Sequence, residues 1–179
     1  AVQDALVIAW RDLPGLRAWL ASRGMSLEAL VLADLSRNFR GGISTGKETF
    51  RHLLEVSFTL ATEPLFGFAG GTFFVDFQTQ EGRHGTETLV GDFQGFSNID
   101  APGFTALYEV WYEQVFLDGK LRLKLGKIDA NNEFAFVEHA GPLINSSAGF
   151  SPTILGFPTY PNPATGAVLF GSPVEGLYV

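Results

Sequence analysis

The chain has no cysteine among its 179 residues, and only 17% of them are charged. Without cysteine there is no disulfide framework, no thiolate metal site and no cysteine nucleophile. The charges sum to −7, which argues against a nucleic-acid partner, because nothing would neutralise its phosphates. An unbroken hydrophobic run is missing too. The longest uncharged stretch, 140–173, is interrupted by Pro142, Pro152, Pro158, Pro161, Pro163 and Pro173, so it cannot be a membrane-crossing helix. No secretory leader is visible at Ala1, and the numbering is expected to start on a mature or truncated chain. If this protein enters a membrane, strands must carry it across.

What is present points the same way. Hydrophobic residues make up 46%, with 21 glycines and 17 phenylalanines, and the length suits one domain. A short amphipathic helix is predicted near the start. Asp12 can cap it, Pro14 suits its first turn, Leu13, Leu16, Trp19 and Leu20 share a face, and Gly24 ends it.

Beyond Gly24 the period changes from 3.6 to 2. In 26–38, Leu27, Ala29, Val31, Ala33 and Leu35 oppose Glu28, Asp34 and Ser36. In 50–61, Leu54, Val56, Phe58 and Leu60 oppose Arg51, Glu55, Ser57 and Thr59. In 72–80, Phe73, Val75 and Phe77 oppose Thr72, Asp76 and Gln78. Glycine turns such as Arg40-Gly41-Gly42 and Ala69-Gly70-Gly71 divide these segments. Segments of about ten residues, apolar on one face and polar on the other, are what transmembrane β-strands look like in sequence.

The stretch 104–127 is the most informative. Asp118-Gly119 between two alternating runs is the strongest short-range hairpin signal. Turning there pairs Leu117 with Lys120, so that Phe116 faces Leu121, Gln114 faces Leu123 and Tyr112 faces Leu125. Val115 then meets Arg122, Glu113 meets Lys124 and Trp111 meets Gly126. A slip by one residue would scramble both faces. Tyr108, Val110, Tyr112, Leu121, Leu123 and Leu125 are expected on the greasy face, and Glu109, Trp111, Glu113, Arg122 and Lys124 on the polar one.

Past Asp129 the pattern fades. A short helix is expected around 134–139, then a Pro-, Gly- and Phe-rich loop, with the whole connection spanning 129–173. Long loops in barrels often carry function. A further strand is expected to begin at Val174.

Several ordered pieces resemble one known family. They are Gly91-Asp92-x-Gln94, Ser97-Asn98-Ile99-x-Ala101-Pro102, and Leu107-Tyr108-Glu109-x-Trp111-x-Glu113-Gln114. The Leu117-Asp118-Gly119 turn, Glu133-Phe134 and Asn145-Ser146-Ser147 follow in the family's order. Together they resemble the bacterial carbohydrate-selective porins, and the segment from Leu13 to Gly24 is similar to the family's N-terminal helix. One departure is that a tryptophan and two glycines usually precede that helix, where this chain has Asp12-Leu13-Pro14-Gly15. The resemblance implies a sixteen-stranded transmembrane antiparallel β-barrel in the bacterial outer membrane, whose channel is lined by charged and aromatic side chains and passes mono- and oligosaccharides. This chain is expected to supply the N-terminal portion: residues 1–25 with the helix, and 26–179 with about five strands and the long loop. Five strands cannot close a barrel, and an open edge cannot sit in lipid. The rest of the polypeptide, or further copies joined edge to edge, is therefore expected.

Seven lumen-facing candidates follow from the alternation: Glu109, Trp111, Glu113, Arg122 and Lys124, and on the same reasoning Asp76 and Arg51. Carboxylates and guanidinium groups hydrogen-bond sugar hydroxyls, and an indole stacks on the apolar face of a sugar ring. The bland alternative is that Glu113 and Lys124 simply form a cross-strand pair. No enzyme is expected. Glu109 and Glu113 lie about 13 Å apart along one strand, too far for a glycosidase pair, which leaves open only a partner carboxylate from another strand. No nucleophile elbow, P-loop or dinucleotide fingerprint is present. His52, His84 and His139 lack ligand spacing and read as surface or loop residues, so neither metal nor cofactor is expected. The glycosylation-like Asn145-Ser146-Ser147 reads as loop structure. The partners expected are small sugars and outer-membrane lipid, with a homo-oligomer or association with other envelope proteins left open. Two competing functions are a barrel that scaffolds an envelope assembly and a soluble carbohydrate-binding β-sandwich.

Overall fold

Strict alternation gives each strand two chemically distinct faces, and the fold follows from keeping like faces together. In the computed structural model, which describes residues 14–92, 95–136, 139, 143–145 and 156–173, six strands form one antiparallel meander in sequence order. Helix α1 spans Pro14–Ala21, and β1 (Met25–Arg37) and β2 (Glu48–Ala61) form the first hairpin. A single turn of helix, α2 (Glu63–Phe66), precedes β3 (Gly71–Gly82). A π-helical turn at Thr86–Val90 lies in the connection to β4 (Phe104–Phe116). Then come β5 (Leu121–Ile128), helix α3 (Ala130–Phe134) and β6 (Ala164–Gly171). Asp12, Leu13, Ser146, Ser147 and the strand expected from Val174 lie outside the described residues.

Strands β1 to β4 are 12 to 14 residues long, enough for a tilted strand to cross a hydrocarbon core of about 30 Å. The meander sorts its connections by end. Short turns, 62–70 and 117–120, lie at the end where α1 sits, with the Ala61 N–H bonded to the Gly24 carbonyl at 2.7 Å. The other three connections, 38–47 and the much longer 83–103 and 129–163, all lie at the other end. Short turns on one side and long loops on the other is the habit of outer-membrane barrels.

The hairpin register matches expectation pair by pair, from Phe116 opposite Leu121 to Trp111 opposite Gly126. Leu117, Asp118 and Gly119 all take positive φ, at 53°, 53° and 88°, so the turn takes in 117–120 and the expected Leu117–Lys120 pair falls outside the ladder. Gly126 sits opposite Trp111 at φ 144°, and a Cβ there would fall 2.2 Å from the Val110 carbonyl oxygen. Only glycine fits.

Burial is inverted relative to a soluble protein. Buried apolar side chains are few: Leu53, Leu89, Ile99, Ala101, Tyr108 and Ile128 among the described residues. Buried polar ones outnumber them, including Asp34, Arg51, Asp76, Gln78, Gln80, Glu109, Lys124 and Asp129. The opposite face exposes Leu27, Leu35, Phe50, Phe73, Phe77, Leu107, Val110, Leu125 and Leu169, the last at 63%. A sheet that hides charge and presents leucine is built for a solvent of lipid tails. A soluble sandwich would bury that face, and here it is bare. Among the described residues the sheet does not close, and β1 and β6 are its edges.

Three details differ from the sequence reading. A β-bulge shifts the β3–β4 register, with Asp76 opposite Glu109 and Phe77 opposite Leu107. Tyr108 is the extra residue, and it turns inward instead of facing outward with Val110 and Tyr112. The short helix lies earlier, at Ala130–Phe134, sharing only Phe134 with the expected 134–139, because the Asp129 side chain accepts from the Asn131 N–H at 2.8 Å and so fixes its start. Part of the stretch expected as loop is β6. Its inward positions, Ala164, Gly166, Val168 and Phe170, carry no polar side chain, so pairing with β5 rather than alternation makes it a strand.

Candidate functional site

The inner face of β4 and β5 brings together two acids and two bases. Arg122 donates from Nη1 to Glu113 at 2.9 Å and from Nη2 to Glu133 of α3 at 2.8 Å. The Lys124 ammonium lies 3.4 Å from Glu113 and forms a short ion pair with Glu133. Because the strands alternate, Glu113 and Lys124 are direct cross-strand partners, and α3 lowers Glu133 between the two cations. Burial works against the charge on Glu133. The hydrogen bonds and positive charges of Lys124 and Arg122 outweigh it and hold the carboxyl below its ordinary range.

Aromatic rings border this tetrad. Phe74 stacks on Trp111 with centroids 4.8 Å apart, and Lys124 Nζ lies 3.9 Å from the Trp111 ring centre. The Arg122 guanidinium lies 4.3 Å from the ring of Phe170, which also meets Phe134 at 5.8 Å. Phe134 contacts Phe157 at 6.0 Å and is 54% exposed. A planar guanidinium with fixed donors beside bare aromatic faces suits a polar ligand that has one apolar side.

Toward the long-loop end the face becomes acidic. Asp76 opposes Glu109, and the Gln78 amide donates to Asp76 at 2.8 Å and to Glu55 at 3.3 Å. Glu109 accepts the Asp129 N–H at 2.8 Å and the Asn132 side chain at 3.1 Å. Tyr108, turned in by the bulge, donates to the other end of this arrangement, Asp129. The two bulge residues thereby seat the first turn of the long loop. Burial raises the Asp129 carboxyl above its ordinary range, against the hydrogen bonds it accepts from Tyr108 and from the Asn131 and Tyr160 N–H groups. Burial and the charge of Asp100 likewise raise the Tyr160 phenol.

The seven residues singled out from sequence all lie on this one face, but not in one place. Trp111, Glu113 and Arg122 keep part of their surface open. Lys124, Glu109 and Asp76 are buried beneath neighbouring side chains and the long loop. Arg51 is 0% exposed between Asp34 and Asp100, with no surface open to solvent. Sequence reasoning missed Phe74, Phe134, Phe157, Phe170 and the tetrad role of Glu133. Glu133-Phe134 was visible only as a motif, and its place over Arg122 depends on how the loop folds back.

An antiparallel meander with a charged, aromatic inner face and a bare apolar outer face is the wall of an outer-membrane β-barrel of the porin class. The model for the carbohydrate-selective porin, OprB family, matches residues 47–179. The chain belongs to that family, and its place is the bacterial outer membrane. A solved structure described as a high-pH structure of Pseudomonas putida OprB superimposes with a TM-score of 0.81 at 14% identity. The match covers 93% of this chain and 42% of that one. No curated protein sequence matches the chain.

Proposed function

We propose that this chain forms part of the wall and constriction of a passive channel for carbohydrates, a porin with no enzymatic step. The observation that carries the reading is the Arg122 guanidinium, held by Glu113 and Glu133 and lying over the ring of Phe170, which in turn meets the exposed ring of Phe134. A sugar has hydroxyls around its rim and C–H groups on its faces. Arg122 and Glu113 can exchange hydrogen bonds with the rim while Phe134 and Phe157 receive a face. Binding of that kind is weak, as a channel requires, because solute must leave as readily as it enters. Lipid acyl chains are the natural neighbours of Leu125, Leu169 and the rest of the outer face.

The test is single-channel recording of the full-length protein in a planar bilayer, with glucose added to the bath. Sugar entering the constriction should reduce the ion current, and Phe134→Ala should raise the glucose concentration needed for half of that reduction by about tenfold, the equivalent of one lost stacking contact. An open channel whose current ignores glucose would overturn the carbohydrate reading and leave a general or scaffolding barrel.

A further inference from the structure

The connection between β3 and β4, residues 83–103, is fastened to three parts of the molecule. The Leu89 carbonyl accepts from the Ile43 and Ser44 N–H groups at 2.9 and 3.1 Å and from the Asn38 side chain at 3.0 Å. These bonds bind it to the β1–β2 loop. Farther along, the Asn98 N–H donates to the Ile144 carbonyl, and the Asn98 side chain to the Leu143 carbonyl, both at 2.9 Å. The Asn145 side chain donates to the Gly95 carbonyl at 2.6 Å, and the Tyr160 hydroxyl to the Ile99 carbonyl at 3.2 Å. These four bonds hold the long β5–β6 loop, whose α3 carries Glu133 and Phe134.

The third attachment is to the strands, through Arg51. Its guanidinium lies 3.4 Å from Asp34 of β1 and 3.3 Å from Asp100 of the loop, with the Phe96 ring centre 4.5 Å away. Asp100 also accepts from the Gly85 and Thr86 N–H groups at 2.9 and 2.7 Å, and the Ser97 hydroxyl donates to Asp34 at 2.6 Å. All three ionic side chains are sealed from solvent, while the guanidinium nitrogens make no well-formed hydrogen bond. A buried ion triad contributes little net stability compared with apolar packing. What it does supply is position, since any arrangement that parts the charges leaves one of them bare in the interior.

We infer that the β3–β4 loop is a fixed brace that sets the aperture of the pore by holding the β5–β6 loop, and that Arg51 is the positioning residue pinning this brace to the barrel wall. Arg51 acts at one remove, through Asp100 and then Asn98, Ile99 and Gly95, and does not touch solute. The inference rests on the channel reading given above, but it concerns the width of the opening and not which solute is bound.

The experiment compares full-length native protein with R51M, R51K and N98A in planar bilayers and in liposomes swollen by sugars of increasing size. R51M should raise single-channel conductance about twofold, because a wider constriction carries more current, and should admit larger oligosaccharides relative to monosaccharide. R51K keeps the charge and should return toward native values. N98A leaves the wall intact but loosens the grip between the loops, so it should shift size discrimination in the same direction even if R51M fails to insert. Native conductance and native size cut-off in N98A and in any inserted R51M, with only heat stability reduced, would reduce Arg51 to a fold-stabilising residue and overturn the brace. Native protein that forms no channel at all would instead overturn the channel reading.

Discussion

Tyr108 of β4 donates its phenolic hydrogen bond to Asp129, the residue that caps the first turn of the β5–β6 loop. Strand alternation alone would send Tyr108 outward, and the bulge that turns it in is what makes this meeting possible.

Tyr108→Phe keeps the ring and removes the donor. Asp129 is then left in a buried site with one hydrogen bond fewer, which should cost about 1–3 kcal/mol. Denaturant unfolding of refolded protein in detergent measures it. Stability equal to native would mean that the phenol does not anchor the loop.

Glu133 and Asp129 should respond to pH in opposite senses. The Glu133 carboxyl is held below its usual 4.5, so its contribution is present above that value and is lost as pH falls through the lower folded value. The Asp129 carboxyl is raised above its usual 3.8, so the folded state binds a proton more readily there and loses stability as pH climbs from 3.8 through the raised value. Glu133→Gln should remove the acid-side loss, leave Arg122 and Lys124 with an unbalanced charge, and move the reversal potential in a salt gradient toward anions. A titration profile and reversal potential unchanged by E133Q would refute the assignment.

Leu125 lies on the bare outer face, 44% exposed. On a water-soluble protein, arginine at such a position is nearly neutral. On a lipid-facing strand Leu125→Arg should cost up to about 2–4 kcal/mol, the more so the closer it lies to the bilayer midplane. Folding titrations in phospholipid vesicles decide between the two environments, and a neutral result would count against lipid contact.

Gly126→Ala should destabilise the β4–β5 hairpin by at least about 1–3 kcal/mol, since a left-handed non-glycine residue is strained and its Cβ would meet the Val110 carbonyl oxygen and the Trp111 backbone. Gly119→Ala offers a comparison, because its Cβ meets nothing within 4 Å. It should cost less. Equal losses at both positions would show that backbone strain alone, and not the close approach to Trp111, sets the requirement.

Much of the fold was legible because period-two alternation is a property of the chain itself. Leu54, Val56 and Phe58 must leave the sheet opposite Arg51, Glu55 and Ser57 whatever surrounds them, and Asp118-Gly119 dictates a register with no tertiary input. Where both faces of a strand are small or apolar, as at Ala164–Gly171, the signal vanishes. Strand β6 exists because β5 offers it an edge.

The candidate site divides in the same way. Sequence by itself determined that Glu109, Trp111, Glu113, Arg122 and Lys124 share a face with Asp76 and Arg51, for a strand cannot rotate one side chain without its neighbours. Only tertiary structure decided which of them are open. That depended on a one-residue bulge at Tyr108 and on loops that return over the sheet, bringing Glu133 between two cations and Asp100 down onto Arg51. Contacts between groups distant in the chain arise from loop closure and buried charge pairing, and neither leaves a periodic mark in the sequence.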